Sequence, residues 1–409
     1  MAKLQFNDIR FEEEPDQLKL RFLKVFQTSI ARSDLKKLGD CTITKDSIDA
    51  PDLSEKQLNN KFFPLLDRAL QHLESTLTKH KAIYIHQNSG IPLIGTLYFG
   101  IVDRGTNIIE VKPITGCNID CVFCSVDEGT SSRKSVDFVV EDDYMIQVVQ
   151  KLIGFKKQNP TDDNPNQELK IDIFINTHGE PLLYSNMKNL VAGLRQIPEV
   201  SIISIITNAT LLTKDMADEL ISAGLNQLNI SLNAIDDAQA KILAGTPGYN
   251  TQRVLDICRY VSPKLKLIIA PVWLKGNNDE QIPKLIAFAK EIKADIGIQN
   301  YMVHKKGRKA AKQVEWESFY KQLEDWEKET STDLKTKEHT IAKTKPLDKP
   351  FRKGDTVRAE IVCPGRLNNE MLAVSKGRVI SVVNSKKSGG QAKVRILRDK
   401  DNIFVGEEV

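Results

Sequence analysis

Cysteine is scarce in this chain, six among 409 residues, and no apolar run approaches the ~20 residues that cross a bilayer. Three of those cysteines, Cys41, Cys258 and Cys363, stand singly. Their spacing sets aside a disulfide framework of the secreted kind and suits buried, inert thiols. The N-terminus, MAKLQFNDIRFEEEPDQ, is charged and lacks the apolar centre of a signal peptide. These absences give the expectation of a soluble protein in a reducing cytoplasm, with no membrane partner. Histidine is also rare, and His72, His80, His86, His304 and His339 show no pairing that suggests zinc or acid–base work. A chain of this length has core enough to fold without covalent staples.

Net charge is only +4. It is uneven, because residues 345–409 hold 14 Lys and Arg against 8 Asp and Glu, a surplus of 6. A basic C-terminal module is a candidate for binding a polyanion, and equally a solvated face.

Along the chain, KFFPLLDRALQHLESTLTKH places Phe63, Leu66, Ala69, Leu70 and Leu73 at helical intervals. Residues 1–95 are therefore expected to be mostly helical. IPLIGTLYFGIVDRGTNIIEVKPIT reads as two apolar strands around the turn DRGT. From there LKIDIFINTHGEP, VSIISIITNAT, LNQLNISLN, KLKLIIAPVWL and ADIGIQNYMV alternate with helical segments. One of these, TKDMADELISAGL, offers Thr213 as N-cap and Gly224 as C-terminal stop. With the strand before the cysteines that makes six β/α units over 96–310, hence a parallel sheet, open or curled into a barrel. Such folds do their chemistry at the carboxyl ends of the strands. A charged helix and a Lys- and Thr-rich linker fill 311–350, and 351–409 alternates between Gly-containing turns as a small β-barrel does. The fold class is α/β: a partial (β/α)6 TIM-type barrel with an N-terminal helical segment and a C-terminal small β-barrel.

The other three cysteines crowd into VKPITGCNIDCVFCSVDEG, as Cys117, Cys121 and Cys124. Structural zinc takes four ligands, and no fourth Cys or His stands near. A redox dithiol would leave Cys117 unexplained. An iron–sulfur cluster held by three cysteines leaves one iron open to another ligand.

The C-x3-C-x2-C spacing, with Phe123 before the last cysteine and directly after the first strand of a β/α series, resembles the radical S-adenosylmethionine (radical SAM) superfamily. HGEP at 178–181 is similar to that superfamily's GGEP segment, with His178 where the first Gly is usual and so able to face the substrate. The resemblance implies a 4Fe–4S cluster on Cys117, Cys121 and Cys124. It also implies SAM held by Phe123, Gly179, Glu180, Pro181, Thr207, Asn208, Ser231 and Asn233, of which Thr207 to Asn233 lie in ITNATLL and LNISLNAID. Lys266, in KLKLIIAPVWL, would be a basic substrate contact beside His178. The resemblance further implies reductive cleavage of SAM to a 5′-deoxyadenosyl radical, fed by a low-potential donor such as ferredoxin or flavodoxin. No cobalamin-type DxHxxG segment is present. The whole chain resembles uncharacterised archaeal proteins of this architecture.

The last sixty residues resemble a TRAM domain, an OB-type barrel found on RNA-modifying enzymes. That implies phosphate contacts from Arg358, Arg366, Lys376, Arg378, Lys393 and Arg395. Lys305, Lys306, Arg308 and Lys309, after the last strand of the series, would stand at the rim of the barrel mouth. The expectation is a radical SAM enzyme modifying a nucleoside in RNA, with transfer RNA as the substrate class. The alternatives are radical chemistry on a small metabolite or peptide, or an iron–sulfur RNA-binding protein without turnover.

Overall fold

The computed structural model describes residues 2–161, 168–334 and 341–409. His339 and the centre of the expected linker, 335–340, lie outside them. Apolar residues on both faces of six successive segments dictate a doubly covered parallel sheet, and that sheet forms. We label its strands β1 (Gly100–Asp103), β2 (Ile108–Lys112), β3 (Ile171–Ile175), β4 (Val200–Thr207), β5 (Gln227–Ile230), β6 (Lys266–Ile269) and β7 (Asp295–Ile296). They lie side by side in chain order. β2 to β7 are parallel and β1 is antiparallel to β2 around the DRGT turn. Because β7 does not pair with β1 or β2, the sheet is an open half-barrel rather than a closed one.

Side chains alternate across it. Ile109, Val111, Ile173, Ile175, Ile203, Ile205 and Ile230 are fully buried on the convex, helix-covered side. The opposite parity faces the concavity, where Glu110, Phe174, Asn176, Ile206, Asn229 and Ile268 keep partial exposure. The expected caps are in place: the Thr213 side chain accepts from Met216 N ahead of the helix Lys214–Ser222, and Gly224 follows it.

The N-terminal expectation is overturned. A six-stranded sheet forms there from Ile9–Glu13, Gln17–Phe22, Phe26–Ala31, Glu74–Ser75, Lys81–Ile85 and Val136–Val140. The helical periodicity belongs to one helix, Glu55–Leu70, whose buried stripe is Leu58, Phe62, Leu65, Leu66 and Ala69, while Phe63 points outward at 42% exposure. The strands carry period-two burial instead: in Gln17–Phe22, Leu18, Leu20 and Phe22 point in and Arg21 points out.

The C-terminal strands β8 (Thr356–Pro364), β9 (Glu370–Ser375), β10 (Arg378–Val383), β11 (Gly390–Arg398) and β12 (Val405–Glu408) close into a five-stranded barrel in the order β8-β9-β10-β12-β11. Its core is separate, with Phe351 packed edge-on to Phe404 at 5.2 Å and Ile361, Ile380, Val382, Val394 and Ile396 around them. The chain just before β1 runs along β10: Val379 N donates to Ile94 O and Phe404 N to Gly95 O. A Cβ at Gly95, whose φ is +140°, would lie 2.1 Å from Val379 O, so the contact needs glycine. Among the described residues no helix is long and apolar enough to cross a membrane.

Candidate active site

β2 delivers the chain into a two-residue strand, Thr115–Gly116, and then Cys117. Alongside runs His178–Gly179, paired in parallel so that Thr115 faces His178 and Gly116 faces Gly179. Gly179 has φ of +135°, and a Cβ there would lie 1.8 Å from Gly116 O. Only glycine lets the two loops meet, and Glu180 N then donates to Gly116 O at 2.9 Å.

The cysteine loop is clamped from three sides. Asp120 N and Val122 N donate to Ala244 O and Leu243 O, the end of the helix Asp237–Ala244. Asp120 accepts from Thr130 Oγ1, Ser131 N and Ser131 Oγ. Arg308 supplies the third side. Its Nη1 donates to Asp120 O at 2.6 Å and Cys121 O at 3.0 Å, its Nη2 to Asp120 Oδ1 at 2.8 Å and Glu128 O at 3.0 Å, and its Nε to Asp127 Oδ1 at 3.0 Å. Its backbone N reaches Cys124 O. Burial raises the Asp120 carboxyl, but hydrogen bonds from Thr130, Arg308 and Ser131 outweigh it and hold it below the usual carboxylate range. Arg308 is thus spent on the loop and is not a free cation at the rim; Lys305, Lys306 and Lys309 stay exposed.

Arg366 departs further from expectation. From the turn between β8 and β9 it enters the junction with the half-barrel and is 2% exposed. It pairs with Glu128 and, at 2.6 Å, with Asp137, and donates to Thr115 Oγ1 and Val136 O. Burial raises the Asp137 carboxyl, yet His80 at 3.5 Å, Arg366 and Thr78 together hold it down to about 2. A guanidinium enclosed this way cannot meet phosphate. The physical reason is that Glu128 and Asp137 are buried carboxylates requiring a cation.

Of the other basic residues on the barrel, Arg358 and Lys393 are exposed cross-strand neighbours on β8 and β11. Lys376 is exposed, 5.7 Å from the Phe351 ring. Arg378 is half-buried and donates to Asp348 O, and Arg395 pairs with Glu407 on β12.

The three thiols converge on one another. Burial pushes the Cys117 thiol well up, with Cys121 and Glu180 adding to the effect, and pushes Cys121 up to about 12, with Cys124 adding. Cys124 Sγ accepts from Glu128 N at 3.4 Å, and Cys117 Sγ from Asn208 Nδ2 at 3.9 Å. Among the described residues no three His, Cys, Asp or Glu side chains gather tightly enough to hold a single ion. Thiols spread over one loop fit a polynuclear cluster, in which each ligates its own iron. Cys258 is fully buried within the helix Thr251–Val261 and Cys363 is half-buried on β8, both pushed up to about 12 by burial. All six cysteines are free.

Glu180 and Asn208 stand beside the cysteines, and Ser231 and Asn233 follow the carboxyl end of β5. Glu180 is 1% exposed; its Oε1 accepts from Thr207 Oγ1 at 2.6 Å and Leu182 N at 2.9 Å, and its Oε2 from Asn208 N at 2.9 Å. Burial raises its carboxyl to about 7 against those hydrogen bonds. Asn208 also holds Asn118 at 3.1 Å. Ser231 N donates to Thr207 O, and Asn233 Oδ1 accepts from Val272 N. Phe123 and Pro181 are buried. His178 is half-buried near Tyr98, and burial together with Lys112, Arg366, Lys134 and Lys306 keeps its imidazole well below its ordinary pKa, hence neutral.

Lys266 is not brought to this group. It is the first residue of β6, 45% exposed and 3.8 Å from Asp295, at the amino end of a strand whose carboxyl end carries the site. Four residues of strand put it ~13 Å below Ala270.

A half-barrel of β/α units carrying three convergent thiols after its first parallel strand defines a cluster-dependent enzyme. Residues 111–289 match the model of the radical SAM superfamily. A protein of uncharacterised function from Methanocaldococcus jannaschii is 37% identical over 371 residues, 83% of each chain. GTP 3′,8-cyclase from Listeria monocytogenes is 31% identical over 203 residues, 49% of this chain and 55% of that enzyme. The crystal structure of SuiB from Streptococcus suis overlaps with 17% identity and a TM-score of 0.42, covering 80% of this chain and 70% of that one. The chain belongs to the radical SAM superfamily and is a radical SAM enzyme, using a 4Fe–4S cluster, SAM and an electron donor.

Proposed function

We propose that this enzyme modifies a nucleoside within RNA, with transfer RNA as the substrate class, in the cytoplasm and with a ferredoxin- or flavodoxin-type donor. Cys117, Cys121 and Cys124 hold the cluster in this reading. Burial raises the thiols of Cys117 and Cys121, so a bound cluster would have to favour their thiolates. Glu180, fixed by Thr207 and the Asn208 amide, takes the ammonium of SAM, and Asn208, Ser231 and Asn233 line the remaining side. Held by these residues, cluster and SAM would supply radical chemistry directed at a substrate C–H bond. The buried Phe123, Pro181 and Leu182 keep water from that place. His178, neutral and beside the mouth, orients the substrate by a hydrogen bond.

The observation that carries the RNA reading is the exposed pair Arg358 and Lys393 on a closed five-stranded barrel, with no carboxylate partner for either among the described residues. Two cations side by side on a sheet repel unless something anionic bridges them. We read this barrel as TRAM-like, with Lys376 and the exposed Lys305, Lys306 and Lys309 extending the cationic path. Among relatives, the GTP 3′,8-cyclases act, by their name, on a guanine nucleotide, a chemistry close to an RNA nucleoside. The test is to compare modified nucleosides in RNA from cells with and without the gene. One nucleoside should vanish and reappear on complementation; an unchanged nucleoside profile contradicts the reading.

A further inference from the structure

The concave face of the half-barrel is polar, and its groups are arranged rather than scattered. Register places Ser204 of β4 beside Gln227 of β5, with Phe174 of β3 on the other side of Ser204. Gln227 Nε2 donates to Ser204 Oγ at 3.2 Å and to Asn229 Oδ1 at 3.1 Å, and Ser204 Oγ donates to Asn229 Oδ1 at 3.3 Å. Ser204 and Gln227 are buried at 0% and 1% exposure, so this relay is fixed from below. It turns the Asn229 carbonyl down and leaves its amide N–H groups pointing up into the concavity. Among the described residues no hydrogen bond takes them, nor the side-chain amide of Asn176. Two strand spacings separate Asn176 from Asn229, about 10 Å. In their own layer Ile206 of β4 stands between them, and one layer lower on β3, beneath Asn176, lies the partly exposed Phe174. Gln227 Oε1 is buried without a partner among the described residues.

Charge on the same face decides what such a site accepts. Lys112 and Lys266 each face a carboxylate, Glu110 and Asp295, and Arg104 also reaches Glu110 at 2.9 Å. Lys112 is 2.9 Å from Glu110, and its Nζ donates to Asn176 O; Lys266 is 3.8 Å from Asp295. Both lysines of this face are committed to carboxylates, and neither is left over for a phosphate. Near His178 at the mouth lie Lys306, exposed, and Lys134, partly buried, neither in an ion pair among the described residues.

We propose that the concavity binds an uncharged planar heterocycle of the nucleobase class. The base lies over Ile206 and Phe174 with its polar edges on Asn176 and Asn229, while its phosphates remain outside at the mouth. This rests on the RNA reading for its setting, not for its chemistry. A ring of two fused cycles with a hydrogen bond at each end fills the span. An enzyme for free nucleoside triphosphates would need unpaired cations where this site has amides.

The test uses the cluster-loaded, SAM-bound full chain under anaerobic conditions. It is titrated with the four ribonucleosides, with their triphosphates, and separately with bulk transfer RNA. The best-bound nucleoside should bind at least as tightly as its triphosphate. Asn229→Ala, Asn229→Asp and Asn176→Ala should each weaken that nucleoside about tenfold, the loss of one satisfied donor. SAM affinity measured on the same variants verifies folding. Triphosphates binding tenfold tighter than nucleosides, no nucleoside binding, or indifference to all three variants overturns the proposal, whatever transfer RNA does. Nucleoside binding that obeys these expectations without any affinity for transfer RNA leaves the proposal standing and removes the RNA reading instead.

Discussion

Arg308 and Arg366 look, in one dimension, like Arg358 and Lys393: basic residues in glycine-containing stretches of the chain's second half. The first two are enclosed, with five or more hydrogen bonds between them to the cysteine loop and its surroundings. The second two stand exposed, with no carboxylate partner among the described residues. The difference is set by what each meets. Asp120, Asp127, Glu128 and Asp137 crowd the cysteine loop, and their charge would be intolerable there without guanidinium groups, whose planar fork satisfies several acceptors at once. The barrel's outer face has no such demand. Cations inside therefore hold the loop, and cations outside remain available to a partner. The C-terminal barrel takes part in both, because Arg366 leaves it to neutralise the half-barrel's own carboxylates.

The largest effect is expected at Arg366. Arg366→Ala leaves Glu128 and Asp137 buried without their cation, which should cost about 3–5 kcal/mol. Denaturant unfolding of the full chain measures this, and iron content after reconstitution should fall with it. Since Asp137 is held at about 2, its contribution is complete above the ordinary carboxylate range and is lost as pH falls from near 4 toward 2. A stable, cluster-binding Arg366→Ala protein would mean that the junction is decorative. The same linkage makes deletion of residues 351–409 a test of folding as well as of RNA binding.

Glu180 comes next. Glu180→Ala should keep the cluster and weaken SAM by about tenfold to a hundredfold, the worth of a charge-assisted hydrogen bond. Because burial raises its carboxyl to about 7, it is mostly protonated at pH 6 in the free protein. SAM affinity should then rise about tenfold from pH 6 to pH 8, as the carboxylate forms. Glu180→Gln should flatten that rise. Isothermal titration across pH reads both, and a flat wild-type profile would remove the ammonium role.

The smallest effects belong to the outer face. Arg358→Ala and Lys393→Ala should weaken RNA binding about uniformly across sequences, each lowering the salt slope by about 1. Arg395→Ala should do less, since Glu407 already occupies that guanidinium. Filter binding at several salt concentrations ranks them. Equal effects for Arg395 and Arg358 would contradict the division drawn above.

Much of the architecture is legible in the order of the residues alone. Apolar strands punctuated by capped helices give the six parallel strands, and the docking of HGEP beside the cysteines follows from a β/α unit's length. The C-terminal alternation gives a closed barrel. The N-terminal sheet is hidden because its strands are mostly four to six residues long and one sixteen-residue helix with a strong periodic stripe stands among them. Arg308 and Arg366 escape a linear reading because charge in a sequence says nothing about burial. Their carboxylate partners lie 188 and 238 positions away, beyond any local pattern. Lys266 shows a subtler limit. The parity that turns it to the concave side is readable, but a strand has two ends, and this residue sits at the one away from the cysteines. Asn229 carries no motif and emerges only from register.

Anaerobic reconstitution with iron and sulfide tests the central claim most directly, that the loop clamped by Arg308 and Arg366 holds the cluster through three thiols. Wild type and the variants Cys41→Ala, Cys258→Ala and Cys363→Ala should each take up one 4Fe–4S cluster, seen by iron content and by the resonance of the reduced protein. Cys117→Ala, Cys121→Ala and Cys124→Ala should each lose it. Retention of a full cluster by any of those three, or its loss on changing Cys41, Cys258 or Cys363, would contradict the account.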